Sequence, residues 1–195
     1  MGFTVNREIS AGGVPVFQQN YENAQGGFTL DTTGLTTGAV VPAGTVMGID
    51  EATRKAKVLK VATLHANAAD DAVVYQVKKG HLLIVGDYLA AVVGGKAYAI
   101  TEIDTTNADY DVLTVGTTLA VALTAGDALF ESSATGAAAA AYATVAKGLL
   151  FQDTKVGVNE PLAVTIRGTV YERRIPVVTA AIKALLPNII FSQSF

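Results

Sequence analysis

The amino-acid sequence predicts a mainly β protein: a compact β-barrel- or sandwich-like body with one short C-terminal helix, an extended N-terminal arm and an inserted β-meander or small barrel. Three observations lead to this fold class. Short runs of alternating apolar and polar residues recur from residue 36 onwards. Turn-forming pairs such as Gly86-Asp87 and Gly94-Gly95 separate several of these runs. A good helical apolar period occurs only over 177–186.

The composition agrees with a β-rich body and excludes several kinds of function. Half of the 195 residues are hydrophobic and only 16% are charged, against about 25% in an average globular domain. The net charge of −3 offers no basic footprint for nucleic acid. The absence of cysteine excludes disulfides, zinc–thiolate sites and thiol nucleophiles. The longest uncharged stretches are broken by Gly, Pro and Thr, so we expect no membrane span.

Residues 1–34 are predicted to form an extended arm and residues 35–195 to form the body. The first segment is rich in Gly, Asn, Gln and Thr and has no sustained apolar period. An ordered but irregular segment of this length usually lies on another surface or stays loose until it meets one. We therefore expect the arm to bind a partner.

The first strands of the body are predicted between residues 36 and 77. The stretch "VVPAGTVMGID" contains a Pro–Gly turn between two β-rich runs. In the following "VLKVAT", Val58, Lys60 and Ala62 are expected on one face of a strand, and the three residues in between and after, Leu59, Val61 and Thr63, on the other. The run "AVVYQV" alternates again. These patterns indicate strands with two different faces.

A β-meander or small barrel is predicted at about 80–132 as an insert in the body. The runs "HLLIV", "YLAAVV" and "KAYAITEI" are separated by Gly86-Asp87 and Gly94-Gly95. A Gly-Gly pair between two β-rich runs is a strong signal for a hairpin with a primed turn. We therefore expect a hairpin around Gly94-Gly95.

The segment after the insert combines an ambiguous run with the clearest strand of the chain. Five consecutive alanines in "SSATGAAAAAYATVAKGLLF" favour a helix by propensity. The surrounding Thr, Val and Gly residues favour an edge region that leads into a strand at about 142–151. In "PLAVTIRGTVYERR", strict alternation places Leu162, Val164, Ile166 and Val170 on one face.

One helix is predicted over 177–186, followed by a short terminal strand. Pro176 suits the first helical turn and Pro187 ends the helix. Val178, Ile182 and Leu185 then form an apolar stripe. The letters "NIIF" predict the terminal strand.

No residue pattern indicates catalysis or cofactor binding, so the sequence predicts a protein that is not an enzyme. His65 and His81 are the only histidines, and neither has a companion at metal-ligand spacing. No metal site is predicted. The pattern nearest to one is "EIDTTNADYD", where Asp104, Asp109 and Asp111 could offer oxygens to calcium but lack the glycine and glutamate of an EF-hand loop. A solvated turn between strands accounts for the same residues.

The order of the later elements matches a known pattern. A Pro–Gly hairpin is followed by Gly148-Leu149-Leu150, by a strand with Val164, Ile166, Gly168 and Val170, by a short helix, and by Ile189-Ile190-Phe191 near the C-terminus. This order resembles the head decoration proteins and related head-fibre proteins of tailed bacteriophages. The resemblance covers residues 36–60 and 134–191, and the insert at 80–132 departs from the simple decoration proteins.

The resemblance implies a structural virion protein without a cofactor. It would be assembled in the host cytoplasm and would bind the outer capsid surface as a homotrimer, cementing or decorating the head or forming the base of a head fibre. Its partners would be the major capsid protein and two further copies of itself. The capsid-binding side chains of the arm would be Phe3, Val5, Phe17, Tyr21 and Phe28. The trimer contact would consist of Ile182, Leu185, Ile189, Ile190 and Phe191.

The alternative is a carbohydrate- or receptor-binding module, such as an adhesin, whose site lies in the 80–132 region. Tyr88, Tyr98 and Tyr110 are its candidate stacking platforms for a host-surface glycan. Ordinary strand tyrosines would give the same pattern, because tyrosine is frequent in strands. The two hypotheses are compatible, since a decoration protein can display an adhesive head.

Overall fold

The protein consists of two β-sheet units and one short helix, and the computed structural model describes residues 14–194. The strands are, in chain order, β1 (Phe17–Asn23), β2 (Phe28–Leu30), β3 (Val40–Val41), β4 (Val46–Asp50), β5 (Lys55–Val58), β6 (Val61–Thr63), β7 (Val74–Lys78), β8 (Tyr88–Ala90), β9 (Ala97–Asp104), β10 (Tyr110–Val115), β11 (Ala128–Ser132), β12 (Gly148–Leu150), β13 (Thr154–Lys155), β14 (Pro161–Leu162), β15 (Val164–Tyr171) and β16 (Ile189–Ser192). A 3₁₀ turn at Glu172–Arg174 precedes the helix α1 (Ala180–Ala184). The predicted mainly β fold class is confirmed.

The larger unit is an eight-stranded sheet built around β15. Its order is β1-β15-β12-β4-β5-β2-β14, and β16 adds to β15 in parallel. The sequence predicted β15 as the clearest strand, and its inward-facing Val164 and Val170 are fully buried. A separate two-stranded ribbon joins β3 to β13. Strand β15 therefore connects the N-terminal strand, the middle of the chain and the C-terminal strand.

The neighbours of β15 approach its backbone so closely that two positions require glycine. A Cβ atom at Gly168 would lie 2.7 Å from the carbonyl oxygen of Gln19 in β1. A Cβ atom at Gly148 would overlap the carbonyl oxygen of Thr165. Both glycines belong to the motifs that carry the bacteriophage resemblance, so these motifs record tight strand packing.

The expectation of an extended arm is corrected for the part of residues 1–34 that the structure describes. Strand β1 pairs antiparallel with β15, and β2 lies between β5 and β14 in the large sheet. The pairing is non-local, because Asn23 meets Thr165. The residues of β1 give no apolar period, because none of its side chains is fully buried.

The smaller unit is a six-stranded barrel with the order β6-β11-β8-β9-β10-β7. Its two end strands meet through an antiparallel bridge between Leu64 and Val77 and through a 2.8 Å hydrogen bond from the His65 N–H to the Gln76 carbonyl. This contact brings the two end strands together and shortens the edges that an open sheet of this size would expose. We call this unit the small barrel.

The small barrel begins earlier in the chain than the predicted insert of about 80–132. It includes β6 and β7, so its strands run from Val61 to Ser132. The predicted hairpin at Gly94-Gly95 is confirmed, because β8 and β9 pair antiparallel across this loop. The run "HLLIV" is not a strand; it leads into the turn at Gly86.

The alanine-rich segment between the small barrel and β12 is not a helix, in agreement with the edge-region interpretation. It joins the barrel through isolated bridges that pair Gly136 with Ala97 and Tyr142 with Ser132. The strand that follows, β12, covers only the end of the predicted 142–151 region. The segment thus runs along the outside of the barrel before the chain returns to the large sheet.

The C-terminal helix is present but shorter than the predicted 177–186. It begins after Thr179, whose Oγ1 accepts a 3.2 Å hydrogen bond from the Ile182 N–H as an N-cap. Within the helix only Ile182 is buried, and Val178 and Leu186 are buried on either side of it, whereas the predicted Leu185 is 44% exposed. The predicted apolar stripe is therefore confirmed for Val178 and Ile182 as buried residues and is wrong for Leu185.

Three apolar clusters fill the fold. One lies inside the small barrel, and a second lies against the β2–β5 side of the large sheet. The third joins residues from both sheets to the helix, with Leu59, Val61, Phe130, Leu149 and Ile182 among its members. This third cluster packs the two units together.

Among the described residues, no helix is both long and apolar enough to cross a membrane.

We predict that Gly168→Ala destabilises the protein by about 1–3 kcal/mol, because the new methyl group must displace the β1 backbone. Urea denaturation of the variant and the wild type measures this loss. Gly116→Ala is the matched control, since a Cβ atom there meets nothing within 4 Å. Equal stability of the two variants would contradict the close approach of β1 to β15.

Candidate functional site

Lys60 lies where the chain passes from the large sheet to the small barrel, between β5 and β6. Its side chain is only 2% exposed, and its ammonium lies 2.6 Å from Asp87 Oδ2 and 3.6 Å from Glu131 Oε1. Both carboxylates belong to the small barrel. We call these three residues the seam triad. Its opposite charges compensate one another in a place where an unpaired ammonium would be strongly unfavourable.

Backbone hydrogen bonds hold the seam triad in position. Asp87 Oδ2 accepts from the Ile84 N–H at 2.8 Å, and the Glu131 N–H donates to the Lys60 carbonyl at 3.0 Å. Burial raises the pKa of the Glu131 carboxyl, while Lys60 opposes that rise. Glu131 Oε2 is buried without a hydrogen-bond partner among the described residues. The triad is therefore well positioned and incompletely satisfied.

A second buried carboxylate, Asp111, lies on the inward-facing side of β10. Lys79 Nζ donates to Asp111 Oδ1 at 2.5 Å and to the Thr105 carbonyl at 2.9 Å. His81 Nε2 lies 3.4 Å from Asp111 Oδ2. This group places a lysine and a histidine next to each other just after β7.

The His81 imidazole is enclosed but not hydrogen-bonded. Its side chain is 6% exposed, and both ring nitrogens are buried without a hydrogen-bond partner among the described residues. Burial lowers the pKa of His81 from its ordinary value of 6.5, and Asp111 opposes part of this shift. Burial therefore favours the neutral form of the ring.

A cavity of about 310 Å³ opens beside the seam, between the small barrel and the segment before α1. It is lined by Pro42, Val61, Ala62, Thr63, Lys78, Lys79, Gly80, His81, Arg174, Pro176 and Val177. We call it the seam cavity. Every charged side chain in its lining is basic, and its other wall is mainly apolar.

The three acidic residues considered for calcium do not form a site. Asp104 Oδ1 accepts from the Thr106 N–H at 2.9 Å in an exposed turn, and the Asp109 N–H donates to Asn107 at 2.8 Å. Asp111 instead faces the barrel interior. Across residues 14–194, no group of three or more His, Asp or Glu side chains is arranged to hold a metal ion. The solvated-turn interpretation fits Asp104 and Asp109.

The tyrosines of the small barrel are only partly available as stacking platforms. Tyr88, Tyr98 and Tyr110 are all half-buried. Tyr98 packs against the barrel core. The ring of Tyr110 stacks on exposed His65, with 5.0 Å between ring centroids. The structure thus places His65 at the surface with an aromatic partner.

The side chains proposed to bind a capsid have different environments. Phe3 and Val5 lie outside the described residues. Phe28 is 3% exposed in the core, which corrects its assignment as a contact residue. Phe17 is half-buried against Phe151, and Tyr21 is 59% exposed. Of the described candidates, Tyr21 is the most accessible.

The proposed trimer-contact residues also separate into two groups. Ile182 and Ile189 are buried in the chain's own core, at 0% and 6% exposure, which corrects their assignment to a subunit contact. Leu185 and Ile190 are 44% and 62% exposed. Phe191 is half-buried, with the Lys183 ammonium 5.3 Å from its ring centroid. Leu185 and Ile190 are thus the accessible members.

Sequence reasoning missed the seam triad, although one signal was present. In a strand, Lys60 lies on the same face as Val58 and Ala62, so a charged side chain occurs on an otherwise apolar face. Its partners Asp87 and Glu131 lie far along the chain, where nothing in the local pattern marks them. An isolated lysine on an apolar strand face was the available clue.

We predict that Lys60→Met lowers the free energy of unfolding by about 3–5 kcal/mol at pH 7, because it leaves Asp87 and Glu131 buried without their cation. The loss shrinks towards pH 5, as the Glu131 carboxyl takes up a proton. Denaturant titrations at both pH values measure the effect. Lys55→Met, at an exposed position of β5, is the control and should stay within about 0.5 kcal/mol of the wild type. A Lys60 variant as stable as this control would contradict the role of the triad.

Comparison with known proteins provides no further assignment. No protein-family model, no curated protein and no solved structure matches the chain. What the protein does is therefore inferred from its own surfaces: the outer edge of β1, the exposed apolar side chains and the seam cavity.

Proposed function

We propose that the chain is a structural virion protein that binds the outer surface of a bacteriophage capsid as a homotrimer, cementing or decorating the head. The observation that carries this proposal is the outer edge of β1. This strand ends the order of the large sheet, and its second edge pairs with no other strand among residues 14–194. It also lies within residues 1–34, to which the resemblance assigns capsid binding.

The edge of β1 is suited to strand addition. Exposed edges are usually protected by charges, prolines or short length. Strand β1 has seven residues and only one charged side chain, Glu22, and it lacks proline. A partner strand can add to such an edge through main-chain hydrogen bonds, with little demand on side chains. The major capsid protein is the proposed partner.

Exposed apolar side chains near the C-terminus support the proposed self-association. Leu185 follows α1, and Ile190 lies in β16. Strand β16 pairs with β15, the strand that also holds β1. A contact at β16 would therefore link subunits through the same strand that positions the capsid-binding edge. Threefold repetition then multiplies a modest affinity for the capsid.

We propose a binding function rather than an enzymatic one. The buried ionisable groups of the seam triad and of the Lys79–Asp111 pair are engaged with one another. Catalytic groups instead need a reacting atom within their reach. The proposed location is the outer capsid surface, with no nucleic acid or membrane as partner.

A carbohydrate-binding role is the second candidate, and one observation favours it. The exposed His65 and the half-buried Tyr110 stack at the surface of the small barrel, which forms a unit of its own. Stacked aromatic rings at a surface can bind a sugar face. Loss of glycan binding in a Tyr110→Ala variant would favour this role.

We predict that the wild-type protein has three times the 20.1 kDa mass of one chain in solution, and that Ile190→Glu converts it to monomers. A charged side chain in an apolar contact opposes association, because it must be desolvated. Sedimentation equilibrium measures the mass, and circular dichroism checks the fold. Val158→Glu, at an 88% exposed turn position, is the control and should stay trimeric. A monomeric wild-type protein would contradict the proposed assembly.

We also predict that removal of residues 1–13 leaves a folded trimer that binds capsids more weakly, because Phe3 and Val5 are lost while the edge of β1 remains. Removal of residues 1–34 should instead prevent folding, because it deletes β1 and β2 from the large sheet. Cosedimentation with capsids of the same virus measures binding, and thermal unfolding measures the fold. Unchanged binding without residues 1–13 would contradict the assignment of Phe3 and Val5, and complete loss of binding would contradict the role of the β1 edge.

A further inference from the structure

We propose that the seam cavity binds a small organic carboxylate. This site is separate from the surfaces proposed for the capsid and for the trimer, so it stands or falls independently of them. Its volume of about 310 Å³ lies at the lower end of the range for small-molecule sites, about 300–1,000 Å³. The occupant is therefore a compact molecule.

The charge of the lining points to an anion. Lys78, Lys79 and Arg174 line the cavity, and no Asp or Glu between residues 14 and 194 does. Asp111, the carboxylate that lies beside Lys79 and His81, is already bound by Lys79. The local excess of positive charge contrasts with the net charge of −3 of the whole chain. A concave site with one sign of charge concentrates ligands of the opposite sign.

Lys78 and Arg174 are the basic groups that retain the most donors for a ligand. The Arg174 guanidinium donates from Nη1 to the Pro15 carbonyl at 2.8 Å and lies 4.2 Å from the Tyr171 ring centroid. These contacts use one of its five N–H groups and hold the others in place. Lys78 has no ion-pair partner among the described residues. An anion between Lys78 and Arg174 would receive charge-assisted hydrogen bonds from two separate elements.

The apolar wall selects an organic anion over an inorganic one. Pro42, Val61, Pro176 and Val177 line the same cavity as the basic groups. An inorganic phosphate would satisfy the donors but would leave this wall in contact with water. A carboxylate with a hydrocarbon body covers the wall and gains the corresponding hydrophobic free energy.

His81 adds a dependence on pH. It lines the cavity, and its two ring nitrogens are buried without partners. Asp111 and Asp87 favour its protonated form, whereas Lys79 and burial disfavour it. Lys78 and Arg174 share the cavity with it. A bound anion adds a negative charge near the imidazole, so binding favours proton uptake and strengthens as the pH falls.

The test uses the full-length protein and benzoate as the probe. Isothermal titration calorimetry gives the affinity, and methyl NMR signals of Val61 and Val177 locate the ligand. We expect saturable binding that shifts both methyl signals. Benzamide, its neutral counterpart, and acetate, which lacks the apolar body, should each bind at least about tenfold more weakly. Tighter binding of inorganic phosphate than of benzoate would overturn the choice of an organic anion.

Two variants complete the test. Lys78→Gln should weaken benzoate binding at least about fivefold without loss of stability, because Lys78 holds no other part of the structure. Lys147→Gln, at an exposed position outside the cavity lining, is the control and should bind as the wild type does. Equal affinity of both variants, or no binding by the wild-type protein, would overturn the site.

The dependence on pH is tested by comparing the benzoate affinities of the wild type and of His81→Gln between about pH 7.5 and 5.5, where benzoate stays ionised. We expect the affinity of the wild type to rise over this range and that of the variant to change much less. A His81→Gln variant with the wild-type pH dependence would overturn the link between binding and the His81 proton.

Discussion

The buried pairing of the Lys60 ammonium with Asp87 and Glu131 constrains how the two sheets, packed together by the third apolar cluster, are oriented. Only two residues separate β5 from β6, so the chain crosses from one sheet to the other without reaching the surface. A lysine at this crossing must be neutralised inside the protein. Because its two partners belong to the small barrel, their attraction fixes how the barrel sits on the large sheet. Apolar side chains alone would provide no such directional constraint.

Local alternation predicted the elements whose partners are close in sequence. The Gly94-Gly95 hairpin and strand β15 follow from patterns of a few residues, and both occur in the structure. Strand β1 could not be predicted in this way, since its partner lies more than a hundred residues away and its own letters are polar. The start of the small barrel was missed for a related reason. Side chains on both faces of the chain are buried where it passes from one sheet to the other. The alternation of apolar and polar residues is then lost and no longer shows to which sheet a strand belongs.

The site residues show a similar limit. The spacing of Asp104, Asp109 and Asp111 suggested that their oxygens could converge, but strand geometry turns Asp111 into the barrel and leaves Asp104 outside. The terminal residues Ile189 and Ile190 were treated as one apolar group, yet successive strand residues face opposite ways. Sequence identifies which chemistry is present. The direction in which each side chain faces depends on the register of strands that are distant in the chain.

The pairing of β1 with β15 also determines the order in which the two units can fold during translation. All strands of the small barrel come from one continuous stretch, so this unit can close soon after it leaves the ribosome. The large sheet must wait, because β15, which pairs with β1, β12 and β16, is translated after the barrel is complete. Until then β1 remains without its partner, although β2, β4 and β5 can already pair with one another. We expect this sheet to form last and to set the folding rate, since the longest loops close with it.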